Sequence, residues 1–173
     1  MIGDARIHIL RIQDLKKTID KRIKYIVHAA LIAAFYTALT VFFASISFGG
    51  LQFRVSEALT VLPAITSAAI PGLFLGCVLS NAFSFMGLPD MVFGSLATLL
   101  AAIATNRISR VIEKKSIALQ LVLIPLPPVV INAVVIGVML RIIADIPFIT
   151  AVLGVFAGQF GVCYFLGRHF IYW

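Results

Sequence analysis

Charged residues are scarce in this sequence, which has 173 residues, of which 12% are charged and 61% hydrophobic. Soluble domains carry about twice that charged fraction, and a chain of this size has too little interior to bury so much apolar surface. The composition therefore excludes a soluble domain and predicts an all-α integral membrane protein. We expect residues 25–173 to form one transmembrane domain and residues 1–24 to form a basic, amphipathic cytoplasmic leader.

Sequence motifs of common enzymes and ATPases are also absent. There is no GxxxxGK[ST] phosphate loop, no GxGxxG dinucleotide fingerprint, no HExxH zinc motif and no nucleophile elbow. The two cysteines, Cys77 and Cys163, fall inside apolar segments, where they are typical small hydrophobes rather than a disulfide or a metal pair. We therefore expect a protein that is not an enzyme, does not hydrolyse ATP itself and carries no cofactor or metal.

The basic residues that are present flank the apolar segments. Seven of the fourteen Lys and Arg residues precede residue 25, and four more lie within residues 106–116. Nucleic-acid binding would need bases gathered on a folded face, so we expect no nucleic-acid partner. Bases concentrate on the cytoplasmic side of membrane proteins, and this distribution predicts that both termini are cytoplasmic. The leader fits two interpretations, a helix on the membrane surface or a solvated segment.

Six apolar segments are separated by polar or proline-containing breaks, among them a predicted turn at Gly87-Leu88-Pro89-Asp90. The third segment contains Gly72 and Gly76, a GxxxG pair that suits close helix packing. A membrane core about 30 Å thick needs about 20 apolar residues in a helix, so the second segment is short for a straight span. Pro125, Pro127 and Pro128 must kink or unwind the fifth segment, because each lacks a backbone donor. The predicted spans are about 25–47, 54–65, 68–86, 91–105, 117–140 and 146–167.

Polar side chains gather near the predicted outer ends of these spans. The stretch ISFGGLQFRVSEALTVLP, residues 46–63, places the base Arg54 and the acid Glu57 beside apolar sequence. Such charges cost free energy in a membrane unless they are paired, hydrated or used. We expect them to contribute to an outward-facing binding pocket with other polar residues of the outer half. The candidate pocket residues are Gln52, Arg54, Glu57, Asn81, Asp90, Ser95 and Asn132.

Several candidates also have a purely structural interpretation. Arg54 and Glu57 are three residues apart and can pair on one helix face. Asn81 and Asn132 can form hydrogen bonds between helices, and Asp90 can cap the helix that follows it. The residues alone leave these alternatives open.

A line of small residues marks the first predicted span. Ala30, Ala34 and Ala38 are four residues apart and share one helix face, which lets another helix approach closely. Considered alone, this spacing favours packing within the chain over docking of a second subunit.

The polar stretch and two later segments resemble a known family. Residues 46–63, AIPGLFLGCVLSN at residues 69–81 and PDMVFGSLATLLAA at residues 89–102 are similar to the QueT family of substrate-binding S components of energy-coupling factor transporters. The resemblance covers roughly residues 36–106. It implies a six-helix bundle in a prokaryotic plasma membrane that imports a queuosine precursor such as preQ1 or preQ0. It also implies a transmembrane T component and two ATP-binding subunits as partners, and it favours the alanine face as their docking surface.

The chemistry of a deazaguanine suggests roles for the candidate residues. One carboxylate can accept both donors of its N1–H and amino edge, for which Glu57 is the first choice. Asp90 is the candidate for the aminomethyl cation of preQ1, and Asn81 and Asn132 for the carbonyl and ring nitrogens. The alternatives are an S component for another flat, vitamin-like substrate and a facilitator that works without partners.

Overall fold

The computed structural model describes residues 2–47, 53–84 and 86–170, which are helical apart from short connections. Two irregular helices flank the candidate site: a 3-10 segment at Val55–Ala64 and a π turn at Asp90–Gly94. The α-helices are α1 (Ile2–Phe42), α2 (Ala44–Ser47), α3 (Ala69–Asn81), α4 (Ser95–Ile112), α5 (Ile117–Leu123), α6 (Leu126–Ile143) and α7 (Phe148–Gly161). Beyond α7 the chain continues as a π-helical stretch, Val162–Leu166, and a 3-10 turn, Gly167–Phe170.

Four helical stretches are long and apolar enough to cross a membrane: Gln13–Phe42, Asp90–Ile112, Ile117–Ile143 and Phe148–Phe170. They support the predicted all-α, membrane-embedded class. The 3-10 segment and α3 are apolar but shorter, and each would span only about 20 Å of a core about 30 Å thick. The count of six spans and the cytoplasmic position of both termini therefore stay predictions.

Large apolar side chains cover the outside of the molecule. Phe42, Val111, Ile142 and Ile149 are all more than 70% exposed, at 81%, 79%, 76% and 72%. A soluble monomer rarely presents such continuous apolar surface, whereas a lipid environment solvates it.

Two predicted helix ends differ from the structure. The third span was expected to reach Met86, but α3 ends at Asn81. At this end the Asn81 and Ser84 side chains donate hydrogen bonds to Asp90, and these bonds compete with continuation of the helix. The fourth was expected to end at Thr105, but α4 continues to Ile112. It continues because Thr105, Ser109 and Ile112 form a buried face there, while the arginines of the same turns are exposed.

Proline and glycine act where the sequence predicts them to. The predicted fifth span is interrupted between α5 and α6, and Pro127 and Pro128 occupy the first turn of α6, where a missing backbone donor has no cost. Gly87 has φ +65°, a left-handed conformation that favours glycine, in the predicted turn before Asp90.

The first helix is longer than its predicted span. It runs unbroken from Ile2 to Phe42, so the leader continues the same helix. The leader's position on a membrane surface or in solvent stays a prediction.

Helices α1 and α3 pack backbone against backbone. Ala29, Ala33 and Tyr36 are buried on one face of α1. A Cβ atom at Gly72 would lie 2.7 Å from the Ala29 carbonyl oxygen, and one at Gly76 would lie 2.9 Å from the Ala33 carbonyl oxygen. The predicted small-residue packing of Gly72 and Gly76 therefore occurs, and α1 supplies its partner face.

The remaining core completes a bundle around the 3-10 segment. Helix α4 packs against both α3 and α6, and α6 packs along α7. The 3-10 segment contacts α1, α3, α4 and α6, so its side chains point into the centre of the bundle. The largest cluster of buried apolar residues between α6 and α7 comprises Ala133, Ile136, Met139, Leu140, Ala151 and Val155.

Candidate ligand-binding site

The 3-10 segment places Glu57 in the interior. Seven of its ten residues are buried, including Ser56, Glu57 and Thr60. Helix α4 holds the last turn of this segment, because its Asn106 side chain donates to the Pro63 carbonyl oxygen at 2.6 Å. A short apolar helix surrounded by longer ones can thus carry an acid to the middle of the bundle.

The Glu57 carboxylate accepts hydrogen bonds from two different helices. The Tyr36 hydroxyl of α1 donates to Oε1 at 2.5 Å, and the Asn132 amide of α6 donates to Oε2 at 3.1 Å. All three side chains are at most 3% exposed. A buried carboxylate needs such donors, because unpaired burial of its charge costs several kcal/mol.

A small polar cavity lies against this carboxylate. Its volume is about 10 Å³, which is room for about one water molecule, whereas pockets for drug-sized ligands measure roughly 300–1,000 Å³. Among the described residues, this cavity therefore leaves no room for a ligand of that size. The lining residues are Arg54, Glu57, Gly94, Thr98, Asn132, Ile136, Val155 and Gln159.

Arg54 forms a buried ion pair with the π turn. Its Nη2 lies 3.0 Å from Oδ2 of Asp90, and the two side chains are 4% and 1% exposed. Ser84 donates to the same carboxylate oxygen at 2.5 Å. The pairing of Arg54 with Glu57 that the spacing suggested is thus replaced by a pairing between distant parts of the chain. Asp90 does not cap its helix either, since the cap position is Pro89.

Asn81 and Asp90 stand behind the cavity wall at Gly94. The Asn81 amide donates to the Asp90 carbonyl oxygen at 2.9 Å, which is the interhelical use considered from sequence. A Cβ atom at Gly94 would lie 2.7 Å from Asn81 Nδ2 and 3.6 Å from Asp90 Oδ1. Because Gly94 has no side chain, only a thin wall separates these polar atoms from the cavity.

Three buried acceptors near the cavity lack a hydrogen-bond partner within the described ranges. They are the side-chain oxygens Asn81 Oδ1, Asp90 Oδ1 and Asn132 Oδ1. Buried polar atoms in native proteins are nearly always satisfied by protein or water. The three oxygens can therefore accept hydrogen bonds from water or from a ligand that carries donors.

Two other predicted groups, Ser95 and the alanine face, lie apart from the cavity. Ser95 is buried, but its hydroxyl donates to the Met91 carbonyl oxygen of its own turn. Gln52 lies outside the described residues, as do the predicted Gly49-Gly50 connection and Phe48. Ala30, Ala34 and Ala38 are exposed on α1, facing away from α3, so the packing within the chain is made by neighbouring alanines instead.

Sequence reasoning missed several residues of the cavity wall. It also missed Tyr36, which lies outside the wall and donates to Glu57, although a tyrosine in an alanine-rich span needs a partner for its hydroxyl when buried. Thr98 and Gln159 were not selected as site residues, because each is an isolated polar residue in a largely apolar span. The π turn, which sets the position of Gly94, has no recognised signal in the sequence.

Most polar atoms of the site are held by hydrogen bonds and surround a small cavity, an arrangement that can bind a polar ligand. Over residues 2–47, 53–84 and 86–170, no three His, Cys, Asp or Glu side chains come together as a metal site would need.

Comparisons with known proteins agree with the resemblance seen in the sequence. A family model described as QueT transporter matches residues 26–173. A curated protein of Lactococcus lactis subsp. cremoris, described as queuosine precursor transporter QueT, is 39% identical over 77 residues. That alignment covers 43% of this chain and 45% of the relative, so it spans less than half of the relative's length. No solved structure gave a significant match.

Proposed function

The chain belongs to the QueT transporter family, and on that premise we propose that it is the substrate-binding S component of an ATP-driven importer for a queuosine precursor. It would capture a deazaguanine at the outer face and deliver it inward with a T component and two ATP-binding subunits. The observation that carries this proposal is a buried carboxylate, Glu57, in the wall of a small polar cavity. The absence of a phosphate-loop motif supports dependence on separate ATPases.

Glu57 is the proposed anchor for the ligand's donor edge. Its two oxygens offer about four lone-pair positions, and two of these are engaged by Tyr36 and Asn132. The Gln159 amide also hydrogen-bonds to the carboxylate and must yield its position to the ligand. The remaining positions match the N1–H and exocyclic amine of a deazaguanine, which one carboxylate accepts together. The partnerless Asn132 Oδ1 and the Gln159 amide supply further polar partners for the ring.

The buried charges favour a cationic cargo. Among the described residues, the buried charged side chains are Arg54, Glu57 and Asp90, so two acids face one base when all are ionised. PreQ1 carries an aminomethyl cation that would balance the surplus negative charge, whereas preQ0 is neutral. Asp90 Oδ1, buried without a partner among these residues and close behind Gly94, is the proposed contact for that cation.

Ligand entry requires the cavity to widen. A deazaguanine is far larger than the 10 Å³ now available, so the helices around Glu57 must separate to admit it. The polar groups are already in place, and the motion supplies only the space.

Binding of preQ1 to the purified protein, measured by calorimetry with the Glu57→Gln variant, tests the proposal. We expect the variant to lose at least tenfold in affinity, because an amide cannot accept two donors as the carboxylate does. Glu113→Gln is the matched control, since Glu113 is the other glutamate of the chain and is exposed. Equal binding by both variants would remove Glu57 from the site.

A panel of preQ1, preQ0, guanine and flat vitamins identifies the cargo. We expect preQ1 to bind most tightly. Tighter binding of a vitamin would indicate an S component with the same fold and a different substrate. Uptake in cells without the ATPase subunits would instead indicate a facilitator that works alone.

The exposed alanine face is the proposed docking surface for the T component. Ala34→Leu keeps the face apolar but removes the close approach that Ala30, Ala34 and Ala38 permit. We expect it to abolish co-purification with the partners and to leave preQ1 binding unchanged. Ala157→Leu, at an exposed alanine of α7, is the control. Loss of ligand binding by Ala34→Leu alone would show that the face is needed inside the protein.

A further inference from the structure

We propose that Tyr36 is a positioning residue that orients the Glu57 carboxylate toward the ligand's donor edge. The proposal rests on the function proposed above. It assigns part of the binding specificity to α1, a helix that contributes no residue to the cavity wall.

The Tyr36 hydroxyl donates its single proton to the Glu57 carboxylate. It donates to Glu57 Oε1 at 2.5 Å, and the side chain is 0% exposed, so water cannot replace the carboxylate as its partner. A hydrogen bond to a charged acceptor is among the stronger kinds in proteins. The bond therefore fixes Oε1 on the α1 side of the site.

The backbone of α3 is shaped to let Tyr36 reach this position. A Cβ atom at Gly76 would lie 2.9 Å from the Tyr36 Cβ atom, a separation that real Cβ atoms avoid. Glycine at this position thus lets α1 approach closely enough for the hydroxyl to reach the 3-10 segment.

Two donors on opposite sides determine the plane of the carboxylate. Tyr36 binds Oε1 from α1, and Asn132 binds Oε2 from α6. The carboxyl group of a glutamate otherwise rotates freely about its last torsion. A planar ligand edge with two donors needs both oxygens in its own plane, so fixing that plane lowers the entropy cost of binding.

A second hydrogen bond between α1 and the 3-10 segment allows orientation of the Glu57 carboxylate to be tested separately from attachment of the two helices. One turn beyond Tyr36, the Thr40 and Ser56 hydroxyls are 2.6 Å apart and hydrogen-bonded. This pair joins the same two elements without contacting the carboxylate. A substitution at Thr40 therefore weakens attachment and leaves the orientation of Glu57 to Tyr36.

The test compares two ligands in Tyr36→Phe, which removes only the hydroxyl. The ligands are preQ1 and its analogue without the exocyclic 2-amine, which presents one donor instead of two. We expect preQ1 affinity to fall about tenfold or more, and the preference for preQ1 over the analogue to fall toward one. Tyr25→Phe is the matched control, because the Tyr25 hydroxyl of the same helix donates to the Ser67 carbonyl oxygen away from the site.

The outcomes separate this inference from the proposed function. No binding of preQ1 by the unchanged protein overturns both. Binding that is lost in Glu57→Gln but unchanged in Tyr36→Phe overturns the inference alone. An equal loss for both ligands in Tyr36→Phe, or the same change of preference in Thr40→Val, means that Tyr36 only attaches α1, which also overturns it.

A spectroscopic measurement covers the case in which Tyr36→Phe is too unstable for titration. The sequence has two glutamates, so ¹³C-glutamate in the Glu113→Gln background labels Glu57 alone. With 3-fluorotyrosine at position 36, which is a stronger donor of similar size, we expect the infrared carboxylate stretch of Glu57 to shift. An unchanged stretch would overturn the proposal.

Discussion

Two Arg–Asp pairs of this protein have the same chemistry in opposite surroundings. Arg54 and Asp90 are 4% and 1% exposed and join segments 36 residues apart. Arg141 and Asp145 are 52% and 92% exposed and lie four residues apart at the end of α6. The first pair holds the 3-10 segment to the π turn beside the candidate site, whereas the second only joins two residues one helical turn apart on the surface.

The difference shows that burial, and not the presence of opposite charges, decides what an ion pair does. Exposed pairs contribute about 0–1 kcal/mol, because water solvates the separated partners almost as well. Removing one partner of a buried pair costs about 3–5 kcal/mol, because the other charge is left in an apolar interior. Removal of one partner of the buried pair should therefore destabilise the protein, while the exposed pair is dispensable.

The largest effect is expected from Asp90→Asn, which removes the negative partner of Arg54. We expect the apparent free energy of unfolding in detergent to fall by about 3–5 kcal/mol, measured by thermal or denaturant unfolding. The double variant Arg54→Met/Asp90→Leu, which removes both charges, should recover much of that loss. A small effect of Asp90→Asn would mean that Arg54 is stabilised by other groups and that the pair is not the main tie.

A smaller loss is expected from Ser84→Ala, which keeps both charges and removes one donor to Asp90. A hydrogen bond to a charged acceptor contributes about 1.5–3 kcal/mol net, so the unfolding midpoint should move less than in Asp90→Asn. Ser45→Ala, at an exposed serine of α2, is the control. A loss as large as that of Asp90→Asn would indicate that Ser84, and not the charge of Arg54, holds the aspartate.

The exposed pair should tolerate substitution. Asp145→Asn removes the charge, and asparagine also accepts the left-handed backbone of this position, where φ is 54°. We expect the free energy of unfolding to change by less than about 1 kcal/mol. A loss comparable to that at Asp90 would contradict the argument from burial.

Salt should produce the smallest effect and should act on the exposed pair alone. At 1 M ionic strength the screening length falls to about 3 Å, so the coupling between Arg141 and Asp145 in a double-mutant cycle should vanish. The coupling between Arg54 and Asp90 should persist, because water and ions do not reach it. Equal loss of both couplings would show that the inner pair is solvated.

The sequence predicts the class of this fold well, because hydropathy along the chain decides which segments can be buried in lipid. The proline interruption of residues 117–140 and the turn at Gly87 were also predictable, since backbone chemistry alone determines them. The end of α4 was not, because Arg107 and Arg110 suggested a loop although they lie on the exposed side of a helix that continues.

The candidate site was predictable in its residue types and not in its pairings. Arg54, Glu57 and Asn132 were selected because polar groups in apolar segments need a reason, and the structure brings them to one cavity. Their partners were not predictable, because the contacts of Arg54 with Asp90 and of Glu57 with Tyr36 and Asn132 join distant segments. Local spacing favoured the nearest opposite charge instead.

The close contact between α1 and α3 has a mechanical consequence for ligand entry. Gly72 and Gly76 bring these two helices together so tightly that they should move as one rigid unit, and Tyr36 belongs to that unit. Asn132 belongs to α6, on the other side of the cavity. The Glu57 carboxylate thus has hydrogen-bond partners on both sides of the cavity. Distances measured between labels on α1 and α6 should lengthen on ligand entry, while distances between α1 and α3 should stay constant.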